Sequence, residues 1–494
     1  MKKFLMNYKK KIILLTFTLL GLVLIGFLDK ALAVGLLLIF FLFVITFLIL
    51  LKIGIKDKEL YLLLLVVFLI HLAVVLFIYY AEFKPFGGGA DYEGYNQTAI
   101  EIAQRFKQGN FSLAGIRLGH YFPLLIGIIY IFTLPEMIVG QLFTVWLAAL
   151  SVLFVYLIVK EISGSKKWAF LIGLIVCFYP SYLYFGSLLL KDTLVIPLVL
   201  SGLLLSVKMI KNFSWQKFLI FFVILTGTIH LRFYIGYALL FSFIFCWFLV
   251  SALNFKKRVV YGIVIVFLLG FSPQILGNGY YGTNAIKHYF NPEIITVYRE
   301  VIYAPPETSP PETSPPETSP PETSPNSLSG LSSSFTAETS FKGYSQTFIY
   351  SLLGPFPWQI RYQRQIFALL ETIPWYFLFF IIVFGLIKSI RRKGTLEAIK
   401  NYQFAVPLLV FAIMSLAALS LFITNFGIIV RIRIPSFIAL LCLISLSFND
   451  FNLNNKYLKN IDEYGAKIYE KIFNCRREWF YRFSSHRCFG EKRE

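Results

Sequence analysis

The chain reads as an all-α polytopic membrane protein, and three observations lead there. Hydrophobic residues make up 57% of its 494 positions and the mean hydropathy is +0.70, more apolar surface than a soluble core could bury. Apolar runs near the roughly 20 residues that a helix needs to cross about 30 Å of hydrocarbon recur along its length. Between them, Lys and Arg gather in alternate connecting segments, as the positive-inside rule asks.

Taken in order, the apolar runs predict about 12 spans, all helical because backbone groups in lipid must be satisfied within the segment. They lie at 11–28, 31–51, 60–80, 138–159, 168–190, 192–207, 217–231, 233–253, 259–277, 366–387, 404–424 and 427–447. A cytoplasmic N-terminus puts Lys2 to Lys11, Lys52 to Lys58, Lys160 to Lys167, Lys208 to Lys217, Lys256 to Arg258 and Lys388 to Lys400 inside, with the basic tail from Lys456 to Arg493. The net charge of +20 is therefore mostly a topology signal, and with the spans removed no soluble nucleic-acid-binding domain remains. Residues 121–134 are apolar but short and end at Pro135-Glu136, so they read as a re-entrant or interfacial helix. Were they to cross, Asp91 and Asp192 would fall on opposite faces. Ala31-Leu32-Ala33 resembles a signal-peptidase site, but the apolar run resumes at once and an uncleaved first helix is expected.

The organisation that follows has six parts: N-terminal helices (1–80), a first external loop (81–137), a central bundle (138–277), a second external loop (278–365), C-terminal helices (366–447) and a cytoplasmic tail (448–494). Cys177, Cys246 and Cys442 fall in spans and Cys475 and Cys488 in the tail, so no disulfide framework is expected. His486-Arg487-Cys488 with Cys475 lacks the paired short spacings of a zinc site. The aromatic, basic tail suits anionic lipid headgroups instead. Four tandem Pro-Pro-Glu-Thr-Ser copies from Pro305 to Ser324 favour extended polyproline II and act as a spacer rather than an O-glycosylated stalk. Beyond them, Gly354-Pro355-Phe356-Pro357-Trp358-Gln359 suggests a hairpin at the outer interface.

The first loop carries the most informative cluster, Asp91-Tyr92-Glu93-Gly94-Tyr95-Asn96, after Gly87-Gly88-Gly89. Tyr95, Ala99, Ile102, Ala103 and Phe106 are spaced as one face of a surface helix over 92–106, with Asp91 at its N-terminus. Other polar groups collect at outer helix ends: Ser187, Lys191 and Asp192; His230, Arg232 and Tyr234; Arg431 and Arg433 before Pro435. Any one of these could be a helix-end charge snorkelling to headgroups. Together they offer carboxylates able to act as bases and cations able to grip phosphate, all facing one compartment.

The order of Asp91, Tyr95 and Ala99 in the first long loop, a Pro-containing apolar helix after it, and Asp192 at the next outer turn resembles the GT-C superfamily of polyprenyl-phosphate-sugar glycosyltransferases. Protein O-mannosyltransferases and the bacterial aminoarabinose transferases of lipid A are members. The resemblance covers roughly residues 60–206, and it implies catalytic roles for Asp91, as base on the acceptor, and Asp192. His120 to Pro123 matches the superfamily's His/Lys-Pro-Pro segment with one proline retained. Where relatives often have an Arg at the start of the next span, this chain has Gln141, and Glu93 takes no family role.

The function implied is transfer of a sugar from a polyprenyl-phosphate donor to an acceptor hydroxyl of a protein, lipid or glycan on the extracytoplasmic face, in the cell membrane of a bacterium. Donor binding is expected from Lys191, Arg232, Arg431, Arg433, Tyr95 and His120. No cofactor and no metal ligand are assigned, although a divalent ion could sit between Asp91 and Asp192. Two alternatives stay open, a polymerase or ligase using a lipid-diphosphate-linked oligosaccharide, and a lipid or solute transporter. The early acidic loop weighs against the first. Charges at helix ends rather than at the bilayer midplane weigh against the second.

Overall fold

A computed structural model describes residues 24–83, 90–116, 118–271, 288, 291–299, 341–359, 369–393, 403–424 and 426–447. Most of the 11–28 span, Gly87-Gly88-Gly89, the proline repeat and the basic tail lie outside the described residues. Among those described there is no strand. The helices are α1 (Lys30–Ile53), α2 (Lys58–Tyr80), α3 (Ala90–Lys107), α4 (Phe122–Phe132), α5 (Met137–Ser163), α6 (Lys166–Cys177), α7 (Pro180–Phe185), α8 (Asp192–Lys211) and α9 (Trp215–Leu231). They continue as α10 (Phe233–Val250), α11 (Phe255–Phe271), α12 (Pro292–Val297), α13 (Phe341–Leu353), α14 (Leu369–Lys393), α15 (Val406–Phe422), α16 (Phe426–Ile432) and α17 (Ile434–Ser447).

Five of these, α1, α2, α5, α8 and α10, are long and apolar enough to cross a membrane. The remaining expected spans within the described residues are shorter apolar helices or broken ones, so the count of twelve stays an expectation. α5 is apolar all round and sits at the centre, against α1, α2, α6 and α8, while α1 turns Phe40, Phe41, Phe47 and Leu48 outward as a lipid-facing helix would.

Ion pairs sort the helix ends into two faces. Asp57, between α1 and α2, is held by Lys160 and Lys166 from the α5–α6 turn, and Lys211 at the end of α8 reaches Glu161 at 2.8 Å. The loops bearing Lys52 to Lys58, Lys160 to Lys167 and Lys208 to Lys211 therefore share one end, where the charge pattern put them. At the other end Tyr80 donates to Asp29 at 2.6 Å, and there the polar turns before α8, between α9 and α10, and in α16 converge with α3. Since α2 arrives at this end and α5 leaves from it, α3 and α4 form a hairpin there rather than a crossing. The Gly127 position allows the two to close, since a Cβ there would meet Ile102 at 2.9 Å.

One expected span is broken. The run at 168–190 is helical only to Cys177 and restarts at Pro180. Proline has no N–H to continue the ladder, and the freed groups are taken up from afar: Ser181 donates its N–H and its hydroxyl to Glu371 of α14. The last run, 427–447, also breaks, at Arg433 between α16 and α17.

Candidate active site

α3 begins at Ala90, so Asp91 sits in its first turn rather than capping it. The expected face is the buried one: Ala99, Ile102 and Ala103 pack inward, with Tyr92 beside them. Asn96 accepts from Tyr130 of α4 at 2.7 Å, pinning the hairpin, and Tyr95 meets His120 edge-on with ring centroids 4.9 Å apart. Asp91 is thus fixed by its backbone while its side chain remains 48% exposed.

Asp192 opens α8, where the positive end of the helix favours a carboxylate. Arg232 is the single extended residue separating α9 from α10, at φ −148° and ψ 90°. Gly236 lets that turn close, since a Cβ there would lie 2.3 Å from Ile229. The break turns the Arg232 guanidinium onto Asp192 in a two-pronged pair, Nε to Oδ1 at 2.9 Å and Nη2 to Oδ2 at 3.0 Å, while Nη1 donates to Tyr234 at 3.1 Å. Arg431 joins the two acids: Nη1 donates to Asp91 Oδ2 at 3.0 Å, and Nε stands 2.9 Å from Asp192 Oδ2. The second contact is an ion pair by distance, without an N–H aligned as a hydrogen bond.

Beside this chain of charges opens a cavity of about 560 Å³, within the range of small-molecule sites. His120, Tyr121, Lys191, Arg232, Tyr234 and Tyr298 contribute to its wall. A second, apolar cavity of about 230 Å³ lies between α10 and α15 and shares Phe233 and Tyr234 with the first. The Lys191 side chain lines this cavity and forms no ion pair among the described residues, although the charges of Asp192 and Asp91 lie near enough to act on it. Burial, and then the Arg232 charge beside it, lowers its ammonium to about 8. Burial first, then Lys191 and Arg232, lowers His120 to about 4, so its imidazole is neutral and Nδ1 has no hydrogen-bond partner. Burial, reinforced by Asp91 and Asp192, raises Tyr95 and keeps it a phenol.

Of the residues singled out from sequence, Asp91, Tyr95, His120, Lys191, Asp192, Arg232 and Arg431 come together here. Arg433 does not. It is buried in a separate network, donating to Glu371 at 2.9 Å and to the Ser351 and Gly354 carbonyls at 3.2 and 2.6 Å, with its guanidinium over Phe437. Glu371 also accepts from Tyr179 at 2.5 Å. Sequence reasoning passed over Glu371, although an isolated acid in an apolar run was the available signal. It also passed over Tyr298, which no motif marks. Gln141 is buried in the first turns of α5, and its Oε1 has no hydrogen-bond partner.

Residues 121–276 match the model of the family described as dolichyl-phosphate-mannose-protein mannosyltransferase. The matched stretch includes Lys191, Asp192 and Arg232 and stops short of Arg431, and Asp91 precedes it. The resemblance to the GT-C superfamily read from the order of the acidic loops is borne out by this match. No curated protein and no solved structure matches the chain.

Proposed function

We propose, from that match and the charges around the cavity, that the chain is a GT-C-type membrane glycosyltransferase. It moves a sugar from a polyprenyl-phosphate donor to an acceptor hydroxyl of a protein, lipid or glycan, on the membrane face opposite its basic loops. The observation that carries the reading is a cavity of suitable volume lined by a lysine that forms no ion pair among the described residues, beside a bridged pair of carboxylates. Arg232, Arg431 and Lys191 face Asp91 and Asp192, so one positive charge stays unmatched. That suits the single negative charge of a phosphodiester better than a diphosphate. The adjoining apolar cavity suits the first part of an isoprenoid chain.

Roles follow from access. Both oxygens of Asp192 are gripped by arginines, which makes it a holder of cations and a poor proton acceptor. Asp91 is half-exposed and bonded through one oxygen, leaving the other for an incoming hydroxyl. As the acceptor oxygen attacks the anomeric carbon, its proton passes to Asp91. The bond from that carbon to the phosphate oxygen breaks with its electron pair on the oxygen, releasing polyprenyl phosphate. The departing phosphate gains one negative charge, which Lys191 and Arg232 meet.

The test is transfer of radiolabelled sugar by membranes carrying the chain, supplied in parallel with polyprenyl-phosphate and polyprenyl-diphosphate donors. Transfer from the monophosphate series is expected. Transfer confined to the diphosphate series would overturn the reading in favour of a polymerase or ligase.

A further inference from the structure

We infer that the Arg431 guanidinium takes the place of a bridging metal ion, so that the two carboxylates are coupled by a side chain of the protein and the reaction needs no divalent cation. The inference rests on the reading of this cleft as a glycosyl-transfer site. Two acids from separate loops facing one cleft are the arrangement in which a divalent ion is expected, and the test of fit lies in how their oxygens are used. A hard cation seeks about six or more oxygen ligands at roughly 2.0–2.6 Å. Here Asp192 Oδ1 receives Arg232 Nε, and Asp192 Oδ2 receives Arg232 Nη2 and stands against Arg431 Nε. Asp91 Oδ2 receives Arg431 Nη1. The line between the two acids is therefore filled by a planar cation whose two edges meet one carboxylate each.

An ion entering there would have to displace Arg431 and then stand beside the charges of Arg232 and Lys191. The donor set does not fit a metal. It fits a guanidinium, which holds its charge at every working pH and spans two anions with fixed geometry. The bridge also gives Arg431 a positioning role, because it ties α3, which carries Asp91, to α8 and through Asp192 to Arg232 at the cavity wall. Lysine, a point charge, could reach one acid but not hold both.

The test uses the full chain in lipid nanodiscs and reads metal uptake and transfer separately. Electron paramagnetic resonance titration with Mn²⁺ is expected to detect no bound ion in wild-type protein. Transfer by the wild type should survive exhaustive chelation. Arg431→Ala should lose roughly 100-fold in transfer and regain a measurable part with added guanidinium ion, which also shows that the variant is folded. Wild-type uptake of Mn²⁺ that Asp91→Asn abolishes would overturn the inference. So would chelation that stops wild-type transfer. The Mn²⁺ readout needs neither donor nor acceptor, so failure of every sugar donor would count against the glycosyl-transfer reading and leave the cation result standing.

Discussion

Arg431 and Arg433 stand two residues apart at the same helix break, and each reaches a carboxylate at about 3 Å, yet they belong to different kinds of place. Around Arg433 the polar groups meet one another: Glu371 is taken by Arg433, Tyr179 and Ser181, and Arg433 by two carbonyls and a ring. The network joins α7, α13, α14 and α17. Around Arg431 the charges are unequal in access. Asp192 is enclosed, Asp91 is half-exposed, the Lys191 side chain has no ion pair among the described residues, and a cavity lies alongside. A buried ion pair alone marks structure. A site needs space and a group left over for a substrate.

Substitutions can break this contrast. The largest effect expected on activity is from Asp91→Asn, which should lower sugar transfer by about 10²–10⁴-fold, as loss of a general base does. Its unfolding temperature should match wild type, because the side chain is half-exposed. Arg433→Met should do the converse, destabilising the protein by about 3–5 kcal/mol in denaturation because Glu371 is left buried without its cation. The paired change Arg433→Met with Glu371→Leu should recover much of that loss.

Lys191→Met should raise KM for the donor by about 10-fold, corresponding to about 1.4 kcal/mol, with a smaller effect on unfolding temperature. The sign of its pH dependence follows from its lowered value. A lysine at about 8 is charged below that pH and neutral above it, so donor affinity of the wild type should fall as pH rises through 8, measured by KM, whereas Lys191→Met should be flat across the same window. The smallest effect expected on activity is from Gly127→Ala, which forces α4 off α3 and should cost about 1–3 kcal/mol in unfolding free energy instead.

Much of this was legible in the chain. The surface helix bearing Asp91 followed from the spacing of Tyr95, Ala99, Ile102 and Ala103, and the two-ended charge pattern from the lysines, because both are local periodicities. The run at 168–190 reads as one span, although Pro180 carried the signal of its break, and what makes the break tolerable, Glu371, lies far along the chain with no local pattern to link the two. Arg431 and Arg433 looked equivalent as letters. Two positions on a helix differ by about 200° in direction, so one outward-facing arginine already implied that its neighbour but one faced elsewhere. What sequence could not supply was which of the two met the acids at Asp91 and Asp192, since that depends on the packing of α3 and α8.

The most direct measurement compares Arg431→Gln and Arg433→Gln in matched preparations, reading sugar transfer and unfolding temperature on each. Arg431→Gln should lose transfer with its unfolding temperature close to wild type, and Arg433→Gln should lose unfolding temperature first while its folded fraction retains transfer. Transfer abolished in folded Arg433→Gln and preserved in Arg431→Gln would contradict this and move the site to the Glu371 network.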